Sequence, residues 1–206
     1  MANYCMNDIV FYSTNREQIV KLFEQVKSTL NSFKCDTTLF KLLQRLEDQS
    51  SLEIIKDKRN FIIDCGELQQ ADDEYFFHMY TEAAWVPHIE DIDLLLSSDA
   101  FSEIQYVYTA EEPGMEIYVN SDIEHKFLDN RYLFYYWCGN EEEDQYFSNE
   151  DNLKEYLITK FSEAGIKRED KHKTMLTKLE NWLETRNDNF GCYIHEFELP
   201  EECLYA

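Results

Sequence analysis

Four consecutive carboxylates, Glu141-Glu142-Glu143-Asp144, form the densest of several acidic clusters in this chain. The others are Asp72-Asp73-Glu74, Glu90-Asp91-x-Asp93, Glu111-Glu112, Glu116 and Asp122-x-Glu124. Grouped carboxylates suit three kinds of chemistry: acid–base work, binding of hard cations, and docking on a basic surface. The distribution of charge favours the third. Residues 62–152 hold 23 Asp and Glu against Lys126 and Arg131, a net −21 out of −23 for the chain. Residues 1–61 sum to +1 and residues 153–206 to −3. A region of that sign repels nucleic acid and anionic membrane and attracts proteins with basic grooves.

The other chemistries find less support. A calcium loop of the EF-hand kind needs oxygen ligands at fixed odd positions, Gly at the sixth and Glu at the twelfth, and no stretch supplies them. Cys192-x-x-His195 offers two zinc ligands, with Cys138 or Cys203 from elsewhere, but a second paired element is missing and strand alternation sets 192 and 195 on opposite faces. No metal or cofactor is therefore expected. His78, His88, His125, His172 and His195 are scattered, and no G-x-S-x-G, H-E-x-x-H or P-loop pattern accompanies them. His78, in an apolar run, reads as a hydrogen-bonded core histidine. Lys154, Lys160, Lys167, Arg168, Lys171, Lys173, Lys178 and Arg186 are interleaved with six acids, which suggests surface ion pairs more than a nucleic-acid patch.

A folded body must position these groups. With 14 Phe, 14 Tyr and three Trp in 206 residues the chain has ample core material, and five Gly and three Pro leave little linker. Ile9–Ser13 reads as a strand leading into a capping box, Thr14-Asn15-Arg16-Glu17. A helix over about 15–33 follows, then a second over about 37–48. Phe61-Ile62-Ile63 suits a short strand, and Tyr75–Thr81 a central one. Pro87 opens a helix carrying Ile89, Ile92, Leu95 and Leu96. Strands at Glu103–Thr109 and Met115–Ile123 flank the turn Glu112-Pro113-Gly114. In the latter, Met115, Ile117, Val119 and Ile123 face inward, and Glu116, Tyr118, Asn120 and Asp122 form an acidic outer face. The aromatic strand Tyr132–Cys138 precedes the acidic loop Glu141–Asp144. Helices over about 150–164 and Lys167–Arg186 and a strand Cys192–Leu199 complete the chain. The six cysteines are spaced as free thiols in or near the core of a cytoplasmic protein, and no apolar run reaches membrane-spanning length.

The opening Met1-Ala2-Asn3-Tyr4-Cys5-x-Asn7 resembles the start of the YubB-like family of plasmid and phage proteins, with Tyr4 where the family carries Trp. Thr81-Glu82-Ala83-Ala84-Trp85-Val86-Pro87, the strand Ile104–Tyr108 and Glu111-Glu112-Pro113-Gly114 resemble that family's T-x-W-x-P segment and E-x-G turn. The resemblance covers residues 1–13 and about 75–123. It implies a ferredoxin-like sheet and a mobile-element origin, and it carries no catalytic residues across.

The expected architecture is α+β: an acidic ferredoxin-like antiparallel sheet over residues 1–147 with helices on one side, and a two-helix extension with a final strand over 148–206. The expected function is non-catalytic inhibition of a host defence nuclease, of anti-CRISPR or anti-restriction type, by a DNA-mimicking surface. Its binding residues are Asp72, Asp73, Glu74, Glu111, Glu112, Glu116, Asp122, Glu141, Glu142, Glu143 and Asp144, with Tyr146 and neighbouring tyrosines as anchors. Carboxylates on alternate strand positions repeat about every 7 Å, and several strands can tile toward the duplex density of one charge per ~1.7 Å. An adaptor for another basic protein, a small enzyme with a carboxylate site, and a merely solvated acidic surface are the alternatives.

Overall fold

The computed structural model describes residues 4–33, 37–45, 59–187 and 189–200. Cys35, Cys203, the end of the expected 37–48 helix and the stretch 52–58 lie outside the described residues. The chain is α+β and forms two compact units, Met1–Asp122 and Ile123–Ala206. The expected boundary at 147 falls inside the second unit. The reason is pairing: the aromatic strand Tyr132–Cys138 bonds to strands that follow it, and not to the first sheet.

In the first unit, β1 (Tyr4–Ser13) runs into α1 (Arg16–Phe33). Asn15 caps that helix, its Oδ1 accepting the N–H groups of Glu17 and Gln18 at 3.1 and 3.3 Å. The cap is thus one residue later than the expected Thr14. Then come α2 (Leu39–Arg45), β2 (Asn60–Cys65), β3 (Gln69–Ala71) and β4 (Glu74–Ala84). The unit ends with α3 (Glu90–Leu96), β5 (Gln105–Glu112) and β6 (Ile117–Asn120). The strands lie in the order β2-β4-β1-β5-β6, all antiparallel, with β3 beside β4. Taken with α1 and α3 as the connections, β2-β4-β1-β5 is the ferredoxin-like order, and β6 extends its edge.

Alternation sorts the side chains. Cys5, Ile9 and Phe11 of β1 and Phe77 and Met79 of β4 pack with Ile19, Leu22, Leu42, Ile92 and Leu95 from the helices in one buried cluster. Each large side chain so buried contributes about 1.5–3 kcal/mol of transfer free energy. Asp8, Val10, Phe76, His78 and Tyr80 take the opposite face. The last strand departs from expectation. It spans four residues, Ile117 and Val119 pack on the core, but Tyr118, Asn120 and Asp122 are buried as well. After β6 the chain stays against the sheet: Ser121 Oγ accepts the Tyr108 N–H at 2.7 Å, and Asn120 Oδ1 accepts that of Asp122 at 2.8 Å. The expected acidic outer face therefore does not form there.

The second unit is built on a hairpin, β7 (Tyr132–Cys138) and β8 (Glu141–Phe147), followed by α4 (Glu150–Lys160), α5 (His172–Glu184) and β9 (Phe190–Glu196). The sheet order is β8-β7-β9, all antiparallel. Glu141–Asp144, expected as a loop, is an edge strand. Gly139, at φ +64° in the first position of a two-residue turn, turns the chain tightly enough to bring it back on β7. Asn149 caps α4 by accepting the Asn152 N–H at 2.9 Å. Phe134, Tyr136, Phe147 and Cys192 meet Leu153, Leu157, Met175, Leu179 and Leu183 of the helices, and Phe161 just beyond α4, in the unit's core.

Candidate functional site

The structure divides the sequence-predicted binding residues. Asp72 and Asp73 are exposed at the β3–β4 turn, with Glu74 half-buried beside them. Glu111 is half-buried near the far end of β5, and Glu116 is exposed in the turn beyond it. In the β1 register Tyr75 lies opposite Ser13 and Glu111 opposite Met6. Seven positions at ~3.3 Å each put the two clusters roughly 23 Å apart, at opposite ends of the sheet. Glu112 and Asp122 are 3% and 2% exposed, so they cannot touch a docking partner. Alternation sends Glu112 to the helix side with Ala110, and the turn after Asn120 folds Asp122 inward.

On β8 the same period separates charges of different character. Glu143 faces the helices, where the Lys160 ammonium and the Tyr156 hydroxyl both donate to it. Those bonds hold the Glu143 carboxyl below its ordinary range. Burial alone would lower Lys160, but the bonds to Glu143 and Tyr156 prevail and hold it above its ordinary value. Other cations are matched in the same way, Lys154 to Glu150, Arg168 to Asp151, Lys178 to Asp170 and Arg186 to Glu163. The basic residues of the helices are thus largely paired, as their interleaving suggested.

Glu142 and Asp144 point away from the helices, on the same face as Leu133, Tyr135 and Trp137 of β7 and Gly191, Tyr193 and His195 of β9. Both carboxylates are exposed, and no Lys or Arg stands in the register on this face. The aromatic rings form a continuous row. Tyr135 to Trp137 is 5.6 Å between centroids, Trp137 to Tyr193 5.7 Å, and Tyr193 to His195 6.0 Å. Tyr193 is 49% exposed, and Tyr135 and Trp137 are half-buried. The Tyr135 hydroxyl donates to Glu142 at 2.6 Å, and that bond, then burial, raises the phenol above its ordinary value. Tyr146, expected as an anchor, is half-buried on this face with its ring 6.3 Å from Phe197.

Trp137 owes its place to a glycine. A Cβ on Gly191 would stand 2.3 Å from the indole, so no other residue fits beneath the ring as it lies. The sequence places Tyr135 and Trp137 in the aromatic strand Tyr132–Cys138 and offers its tyrosines as anchors, but it singles out neither Trp137 nor Tyr193 and Gly191. Period-2 alternation through Tyr132–Cys138 separates Tyr135 and Trp137 from Phe134 and Tyr136. The pairing with β9 that adds the other two residues has no sequence signal.

Two further sites of interest resolve differently. Cys192 is buried on the helix side and His195 lies on the outer face, as alternation required, and burial pushes the Cys192 thiol up to about 12. His78 is half-buried on the outer face of the first sheet and not in its core, its Nδ1 2.9 and 3.2 Å from the Asp8 oxygens, with Tyr80 stacked at 6.0 Å.

No protein-family model matches the chain, and no curated protein does. Among solved structures, the crystal structure of an unknown protein from Galdieria sulphuraria aligns over 95% of this chain and 99% of that chain, at 9% identity and a TM-score of 0.29.

Proposed function

We propose that the chain is a non-catalytic binding protein for a basic protein surface, which docks on the outer face of β8-β7-β9. The observation that carries this reading is the joining of Glu142 and Asp144 to Tyr135, Trp137 and Tyr193 on one face, with no Lys or Arg in its strand register. Partly exposed aromatic rings are the residues that anchor protein interfaces, and exposed carboxylates set the sign of the partner. In its specific form the partner is a CRISPR or restriction nuclease, and the chain is a phage- or plasmid-encoded inhibitor that occupies the nucleic-acid groove. The regional charge of −21 and the YubB-like resemblance support that form. Because Asp72–Glu74 and Glu111–Glu116 stand at opposite ends of one sheet, they act in this scheme as long-range steering charges. The contact itself belongs to β8.

Reversing Glu142 and Asp144 to Lys tests the reading. Association with a purified candidate nuclease is expected to slow and to lose most of its salt dependence, because exposed charges act through screened fields. Unchanged association would remove β8 from the interface. Competition by duplex DNA or guide RNA marks a nucleic-acid groove as the target. Binding that ignores both points to an adaptor for another basic protein.

A further inference from the structure

At the β7–β8 turn the aromatic row ends in an open pocket of about 530 Å³. Tyr135, Trp137, Asn140, Glu141, Glu142 and Asn189 line it. The volume admits one long side chain with its water, and the lining combines two ring planes with two exposed carboxylates. A planar cation meets both features at once: it stacks on the rings and donates several N–H bonds in its plane. An ammonium ion meets the carboxylates but gains less from the ring planes. Glu142 already accepts from Tyr135, which fixes its carboxylate at the pocket wall. Gly191, by leaving room for the indole, fixes the other wall.

We propose that this pocket takes the guanidinium group of an arginine side chain from the partner, stacked on Trp137 and bonded to Glu142. The inference rests on the basic-partner reading above and sharpens it from a charge to a chemical group.

The test uses the full chain labelled with ¹⁵N and three blocked peptides that differ only in bearing arginine, lysine or the uncharged isostere citrulline. The Trp137 indole resonance is assigned by its loss in Trp137→Phe. The arginine peptide is expected to shift that resonance and to bind about tenfold more tightly than the lysine peptide, with no binding by citrulline. Glu142→Gln and Gly191→Ala should each weaken the arginine peptide about tenfold. The second variant displaces the ring without altering charge, and unmoved core resonances show that each variant is folded. Equal binding of the arginine and lysine peptides with Trp137 unmoved overturns the pocket and leaves an acidic docking face standing. Failure of both cationic peptides to bind at low salt overturns the docking face as well.

Discussion

Lys160 offers the sharpest test of how the second unit is held together. Its ammonium bonds to Glu143 of β8 and lies 5.0, 5.4 and 5.8 Å from the ring centroids of Tyr136, Tyr156 and Phe161. It thereby ties α4 to the edge strand through the aromatic core. Lys160→Met keeps the apolar stem in place and removes the charge. Glu143 is 36% exposed, so water screens the pair and its loss costs no more than about 1 kcal/mol. The cation–ring contacts add about 0.5–1 kcal/mol. The substitution should therefore destabilise the unit by about 1–2 kcal/mol, and each kcal/mol is worth about 4–8 °C in Tm for a domain of this size.

Urea unfolding followed by tryptophan fluorescence reads the effect, because Trp137 and Trp182 lie in this unit and Trp85 in the other. The pH dependence supplies the sign. Glu143 is lowered in the folded chain, so its contribution is complete above its ordinary value of 4.5 and is lost as pH falls through the depressed folded value. Lys160 is raised, so its contribution is complete below its ordinary 10.5 and is lost only as pH climbs past that value. The difference between wild type and variant should be flat from about pH 5 to 10 and shrink in acid. A double cycle with Glu143→Gln should return a coupling of about 0.5–1 kcal/mol. Equal destabilisation at pH 3 and pH 7, or a coupling near zero, would show that Lys160 acts through its ring contacts and packing and not through its pairing with Glu143.

Further outcomes follow from burial and capping. Glu112 is 3% exposed, and its Oε1 has no hydrogen-bond partner among the described residues; Glu112→Gln should stabilise the first unit by about 1 kcal/mol in thermal melts at pH 7, and a lowered Tm refutes this. Burial pushes the thiols of Cys5, Cys65 and Cys192 up to about 12, so brief alkylation at pH 8 should label half-buried Cys138 ahead of all three. Mass mapping that finds equal rates overturns the core placement. Asn149→Ala removes the acceptor of the Asn152 N–H and should cost about 1 kcal/mol in urea unfolding, with a loss under 0.3 kcal/mol counting against the cap.

Most elements were legible because each carries a local period or cap. Ile19, Val20, Phe23, Val26 and Leu30 recur at helical spacing and spell out α1, and the run Tyr75–Thr81 reads as an interior strand because both of its faces are apolar. What failed was decided by partners distant in sequence. Glu141–Asp144 has poor β propensity, and it is a strand because Gly139 returns it to β7, whose Tyr132–Cys138 backbone supplies the bonds. The outward acids of β6 looked legible from alternation. The chain around Ser121 and Asp122 stays on the sheet, so burial and alternation part company there. The candidate site was half legible: its carboxylates stand out in the sequence, but its aromatic row needs β9 beside β7, a pairing made across the whole of α4 and α5.

The acidity of β8 has a second physical explanation. An edge strand exposes unpaired backbone groups, and charges along it deter pairing with another sheet. Four carboxylates on a seven-residue edge strand satisfy that need without any partner. Two features of the face go beyond it. Edge protection works equally well from either side of the strand, yet the structure neutralises Glu143 with Lys160 on the helix side and sets no Lys or Arg beside Glu142 and Asp144 in the strand register on the other. Nor does a strand that only avoids aggregation call for a half-buried indole beside it, since apolar surface near an edge works against solubility. Trp137 is nevertheless kept there, seated on a glycine that its ring leaves no room to replace. Gly191→Ala therefore separates the two explanations. Edge protection foresees no change in binding of a basic partner when the charges are intact, and a docking face foresees a loss.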